Sequence, residues 1–207
     1  MNFPLLSKTT AALLLCGLAA HASAAGSVVI DTYGPGNDAS GWTSQLNASQ
    51  RIAVAFDLSA ATSIQSILSS IDGWGGVTLG VLARSGSVPG ATPWLQSVHL
   101  SDPAFNTLLT PTGWNLAAGS YWLVAAPDAG FDGTWQSGTD TPSAAWAFSS
   151  NGSWQAVTSG FIGAPALRIT VAAAVPEPST YGLMLAGGLL VAAAARRKSA
   201  SSSNDQG

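Results

Sequence analysis

The chain is 207 residues long, only 8% of them charged, with one cysteine, two histidines and eight tryptophans. A single cysteine excludes an internal disulfide, and so few His and Cys side chains leave a structural zinc site without ligands. Between residues 25 and 175, eight aspartates stand against three arginines (Arg51, Arg84 and Arg168). That acidic balance, with no basic patch, excludes nucleic acid as a partner.

The N-terminus carries Lys8, an apolar run over residues 11–20, and then Ala22-Ser23-Ala24. Ala22 and Ala24 are small residues at the two positions a signal peptidase reads, so residues 1–24 are predicted to be a secretory signal peptide cleaved after Ala24. Its partners would be the export machinery and signal peptidase. The apolar run makes ~15 Å of helix, about half of what a bilayer requires. Leu15 precedes Cys16 where a lipoprotein signal carries a small residue, which argues against lipidation. After cleavage the chain would hold no cysteine and one histidine, His99.

Residues 25–174 read as one β-rich domain. Ser27-Val-Val-Ile-Asp31 is a short strand, and Tyr33-Gly-Pro-Gly-Asn-Asp38 is turn chemistry. Residues 51–57 alternate, with Ile52, Val54 and Phe56 on one face. Ile64, Ile67, Leu68 and Ile71 fit a helical spacing as well as a strand. The glycines at 73, 75 and 76 that follow at once favour strand. Residues 77–83 form a strand ending in a turn over 85–90, and residues 93–100, opened by a proline, suit a sheet edge. Residues 116–119 turn into a strand over 120–126. Strands over 144–148, 152–155 and 166–171 complete the set. This many short strands with turn signals between them predicts an all-β fold, an antiparallel β-sandwich or jelly roll.

Little in this domain points to catalysis, and the chain is expected not to be an enzyme. Ser101 and Asp102 beside His99 suit a turn before Pro103 better than a triad. A secreted hydrolase would need two convergent carboxyls, which eight loop aspartates do not announce. No cofactor is expected. Calcium is the one metal the composition admits, through Asp128, Asp132 and Asp140 in a Gly-rich stretch, although turn formation explains these residues equally well. Trp122 sits inside an apolar strand and reads as core. Trp74 (between Asp72-Gly73 and Gly75-Gly76) and Trp135 (between Gly133-Thr134 and Gln136-Ser137) read as loop-borne indoles that could stack on a sugar. The other tryptophans are expected to fill the core. A carbohydrate-binding module contacting exopolysaccharide through Trp74 and Trp135 is therefore the alternative to a plain surface protein.

The order of pieces in the domain is Asp31-Thr-Tyr-Gly-Pro-Gly36, Ile52-Ala-Val-Ala-Phe56, Ser87-Val-Pro-Gly90 and Leu116-Ala-Ala-Gly-Ser-Tyr-Trp-Leu-Val124, then Trp135, Trp146, Trp154 and a strand ending at Val171. It resembles the choice-of-anchor R domain of bacterial surface proteins. That resemblance implies a β-sandwich at the cell surface and brings no catalytic residues.

The C-terminus has Val175-Pro176-Glu177-Pro178, an apolar segment over residues 181–195, the cations Arg196, Arg197 and Lys198, and a polar tail over 199–207. Each proline fixes its own φ and biases the preceding residue away from helix, giving an extended spacer. The cations would stay on the cytoplasmic side and leave the preceding domain outside. The apolar segment makes about 22 Å of helix against roughly 30 Å of hydrocarbon, so a short transmembrane helix there would hold the chain temporarily. Residues 175–198 resemble the PEP-CTERM sorting signal. The resemblance implies recognition by exosortase and processing near Pro176-Glu177-Pro178. It also implies a transient stay in the inner membrane of a Gram-negative bacterium that makes extracellular polysaccharide. Delivery to the cell surface or extracellular matrix would follow. The tail from Ser199 to Gly207 is longer than is usual for this signal.

Overall fold

The computed structural model describes residues 26–39, 41–139, 144–157 and 163–173, and in the C-terminal segment Gly182, Met184, Leu185 and residues 187–192. The expected signal peptide with Ala22 and Ala24, the carboxylate Asp140, the Val175-Pro176-Glu177-Pro178 spacer and the cations Arg196, Arg197 and Lys198 lie outside these residues. The chain divides into two compact units, Met1–Ala173 and Ala174–Gly207.

Strands in the first unit are β1 (Ser27–Asp31), β2 (Thr43–Asn47), β3 (Gln50–Leu58), β4 (Thr62–Ser69) and β5 (Ile71–Trp74). They continue as β6 (Gly76–Ala83), β7 (Gln96–Ser101), β8 (Thr107–Leu109), β9 (Asn115–Leu116) and β10 (Gly119–Pro127). The last four are β11 (Asp132–Gln136), β12 (Trp146–Ser150), β13 (Ser153–Ala156) and β14 (Leu167–Val171). Every ladder among them is antiparallel, as the alternation implied. One sheet runs β1-β14-β4-β8, with β9 extending β4. The other, curled, runs β5-β11-β2-β3-β10-β6-β7, and β12 with β13 adds to β3.

The two sheets enclose one apolar core. Ile52, Val54 and Phe56 of β3, Val77, Leu79 and Val81 of β6, and Leu123 of β10 face Ile64, Ile67, Leu167 and Ile169 of the smaller sheet. The spacing of Ile64 and Ile67 looks helical because β4 carries a bulge. Ile64 pairs with Val171 and Ser66 with Thr170, so Gln65 is the extra residue and the face is regained after three positions. The β12–β13 hairpin turns at Asn151 and Gly152, both with positive φ (48° and 84°), the geometry a two-residue type I′ turn demands.

The far face of the larger sheet is also covered. Ala53, Ala55, Leu82, Trp122, Val124 and Ala147 form a second apolar cluster there, with Val88 and Trp154 packed on it. The Arg84 guanidinium lies 5.0 Å from the Trp122 ring centroid. Gly80 belongs to the same surface for a steric reason: a Cβ there would approach Trp94 Cε3 to 2.5 Å. The strand tolerates a glycine because the indole lies where a side chain would be.

In the second unit, Gly182, Met184, Leu185 and residues 187–192 are helical and exposed throughout. The helix falls inside the apolar segment expected to be helical. Among the described residues no helix is long and apolar enough to cross a membrane.

Candidate functional site

Trp135 is not loop-borne. It lies in β11, is fully buried, and its Nε1–H donates to the Ala166 carbonyl at 3.0 Å. Its neighbours Gly133, Thr134, Gln136 and Ser137 include a strand-weakening glycine and are otherwise polar, which disguised a strand as a loop. The tight backbone net around it also includes Ala166 N–H to Gln136 O (2.8 Å) and Gln136 N–H to Ser70 O (3.1 Å). Trp135 therefore ties β11 to the start of β14 and cannot meet a ligand. Trp74 differs. It ends strand β5 and is 79% exposed. Trp122, Trp114 and Trp146 are core, as expected, but Trp42 is open to solvent at 71%, against the expectation that it is buried.

Trp74 stands on a face that alternation builds. Across β5, β11 and β2 the register sets Trp74 opposite Asp132 and Asp132 opposite Asn47. The next row on that face is Asp72, Thr134 and Gln45. Directly opposed residues in antiparallel strands project to the same side, with strands ~4.8 Å apart. The reverse side carries Ile71, Trp135 and Leu46, all fully buried. Gly73 and Gly133 lie side by side on that buried face, with the Phe131 ring across both. A Cβ on either would meet Phe131 at 2.7 Å. Asp72, Asp132, Thr134 and Gln45 make no side-chain hydrogen bond among the described residues, whereas Asn47 Oδ1 accepts from Ser49 N–H (3.0 Å) and Ser49 Oγ–H (2.7 Å). Of this face only Trp74 and Asp132 were legible as candidates. The signal for the rest was the run Thr43-Ser-Gln-Leu-Asn47, polar except at Leu46 and so not recognisable as a strand.

Among the described residues no three metal-ligating side chains converge, and of the calcium candidates Asp140 lies outside those residues. Asp128 is engaged otherwise: its Oδ2 lies 2.8 Å from His99 Nε2, with both side chains about half exposed (51% and 50%). Asp132 is a strand residue on the open face of β11. Asp102, adjacent in sequence, does not pair with His99. Its Oδ1 accepts from Gly75 N–H at 2.6 Å, and its own φ is +46°. Among the described residues no hydroxyl is hydrogen-bonded to His99, as a nucleophile in a triad would be.

A shallow cavity of roughly 480 Å³ opens beside β1 and β3, lined by Asp31, Asp57 and Arg84 among others. Two carboxylates in one cleft are the minimum for glycosidase chemistry. Both oxygens of Asp31 are already in use, however: Oδ2 accepts from Arg168 Nε–H at 2.6 Å and Oδ1 from Tyr33 N–H at 3.1 Å. Behind this pair, Arg168 also lies 5.9 Å over the Tyr33 ring. The buried Tyr33 hydroxyl has no hydrogen-bond partner among the described residues. Burial raises its pKa far above the ordinary 10.0, an effect Arg168 opposes and Asp31 reinforces. These groups form a structural knot at the edge of the smaller sheet.

Residues 174–198 match the family model of the PEP-CTERM protein-sorting motif. The match fits an exported protein directed to exosortase, through a membrane-anchored intermediate in a Gram-negative bacterium. It does not extend into the β-domain, whose likeness to the choice-of-anchor R domain stays with the short motifs that carry it. No curated protein matches the chain.

Proposed function

We propose, on the premise of a PEP-CTERM sorting motif at residues 174–198, that this chain is a non-catalytic surface or matrix protein. It is exported by its signal peptide, paused in the inner membrane and processed by exosortase near Pro176-Glu177-Pro178. The β-domain is then delivered outside. The observation that carries this reading is the sorting match at the chain end. A physical argument supports it. The helical residues Met184, Leu185, Leu189, Leu190 and Val191 are all exposed, an apolar surface that calls for lipid or a membrane enzyme rather than water. The shortness of the segment suits a temporary hold, because a mismatched helix is costly to keep in a bilayer. The non-catalytic part is supported by the half-exposed His99–Asp128 pair, which no hydroxyl among the described residues joins, and by the engaged Asp31 carboxylate.

Pulse-labelling cells with and without exosortase tests the delivery. The expected result is a mature protein lacking both ends in the first strain, and retention of residues 174–207 at the membrane in the second. The same C-terminal fragment in both strains overturns the processing step.

A further inference from the structure

The open face of β5, β11 and β2 combines features that export does not explain. Trp74 exposes 79% of its surface, and among the described residues no ring or cation covers it. Its backbone is held in a ladder with β11, so the indole projects from an ordered strand. Around it the six positions of the two central rows hold one apolar side chain and five polar ones, Asp132, Asn47, Asp72, Thr134 and Gln45. Among the described residues, the side chains of four of those five make no hydrogen bond, and the Ser49 turn uses only the oxygen of the Asn47 amide. The underside is rigid, with Ile71, Trp135 and Leu46 sealed in the core and Phe131 laid across Gly73 and Gly133.

We propose that this face binds a neutral polysaccharide, Trp74 stacking on a sugar ring while Asp132, Asn47, Asp72, Thr134 and Gln45 bond its hydroxyls. The chemistry selects the occupant. A pyranose offers an apolar C–H face for the indole and a rim of hydroxyls that both donate and accept. The protein face answers with carboxylate acceptors, amide and hydroxyl donors, and one flat aromatic. A protein partner would require an apolar centre, and this face has one such residue. A polyanion would meet Asp72 and Asp132 with no cation among the six positions. Strand spacing of ~4.8 Å places the polar groups of one row at successive points along a chain of sugars. Because the underside is fixed by packing, little order must be gained on binding. The inference is independent of how the chain is sorted.

The test uses the full chain in a polyoxyethylene detergent, which carries no sugar, run in native gels containing dextran, laminarin or hydroxyethylcellulose, with alginate as the anionic comparator. Retardation by at least one neutral polymer is expected. Trp74→Ala should weaken it roughly tenfold or more, as truncation of a central aromatic anchor does. Asp132→Ala, at an exposed side chain with no hydrogen bond among the described residues, should weaken it about threefold and serves if the first variant misfolds. Trp42→Ala, an exposed indole outside the two rows, should leave it unchanged. The proposal is overturned if no neutral polymer retards the chain, if alginate is the preferred polymer, or if Trp74→Ala binds like the parent. Equal losses from Trp42→Ala and Trp74→Ala would also overturn it, by showing general indole adhesion.

Discussion

Trp74 and Trp135 occupy the same β5–β11 ladder, yet one faces water and the other the core. Trp135 is opposite Ile71, and Trp74 is opposite Asp132. Both are flanked in sequence by glycine and small polar residues, so their surroundings along the chain do not distinguish them. The difference is parity. Three positions separate Trp135 from Asp132, an odd step, so the indoles project to opposite sides of one small sheet. The lesson is that an aromatic in a Gly-rich stretch becomes a structural anchor or a candidate contact according to register alone.

Replacing each indole should separate the two sides most sharply. Trp135→Ala removes a fully buried ring and its bond to Ala166, and a loss of ~3–5 kcal/mol is expected from truncating a large aromatic in a core. Trp74→Ala should stay within about 0.5 kcal/mol, as exposed substitutions do. Denaturant melts of the two variants measure the gap, and equal losses would erase the distinction between the faces.

A smaller effect is expected at the two residues that precede Trp135, one on each face of β11. Gly133→Ala would press a methyl into Phe131 and the Asp72 carbonyl, and should cost about 1–3 kcal/mol of overpacking. Thr134→Ala, on the open side, should change stability by less than about 0.5 kcal/mol. A tolerated Gly133→Ala would mean that Phe131 does not rest on the glycines as described.

No stability is expected to be lost at neutral pH at Tyr33, where a covered polar atom rather than a covered ring is at stake. Its hydroxyl is buried and has no hydrogen-bond partner among the described residues, so Tyr33→Phe should be neutral or stabilising by up to about 1 kcal/mol. The raised pKa adds a sign. The folded state holds the phenolic proton more tightly than the unfolded chain, so this stabilisation is intact below pH 10.0 and lost as pH rises above it. Thermal melts between neutral and strongly alkaline pH should therefore fall less steeply for Tyr33→Phe than for the parent. Parallel slopes would show that Tyr33 ionises as freely folded as unfolded.

Much of the fold was legible because its signals are local. Apolar alternation in residues 51–57 and 77–83 marks β3 and β6 without reference to anything distant. The Asn151-Gly152 pair carries a local turn signal as well, although a strand beginning at residue 152 left its hairpin unread. β2 and β11 were not legible. Their mostly polar residues, with Gly133 in β11, become strands only because β5 and β3 supply ladder partners.

The amino-acid sequence alone determined the antiparallel β class and the sorting segment at residues 174–198. Both are written in short runs of apolar, turn-forming or charged residues whose chemistry acts where they stand. Tertiary structure decided which tryptophans are open, that His99 pairs with Asp128 rather than with Asp102, and which side chains share a face with Trp74. Those outcomes depend on strand register between segments tens of residues apart. A shift of one position exchanges every inward side chain for an outward one, and no local pattern carries that information.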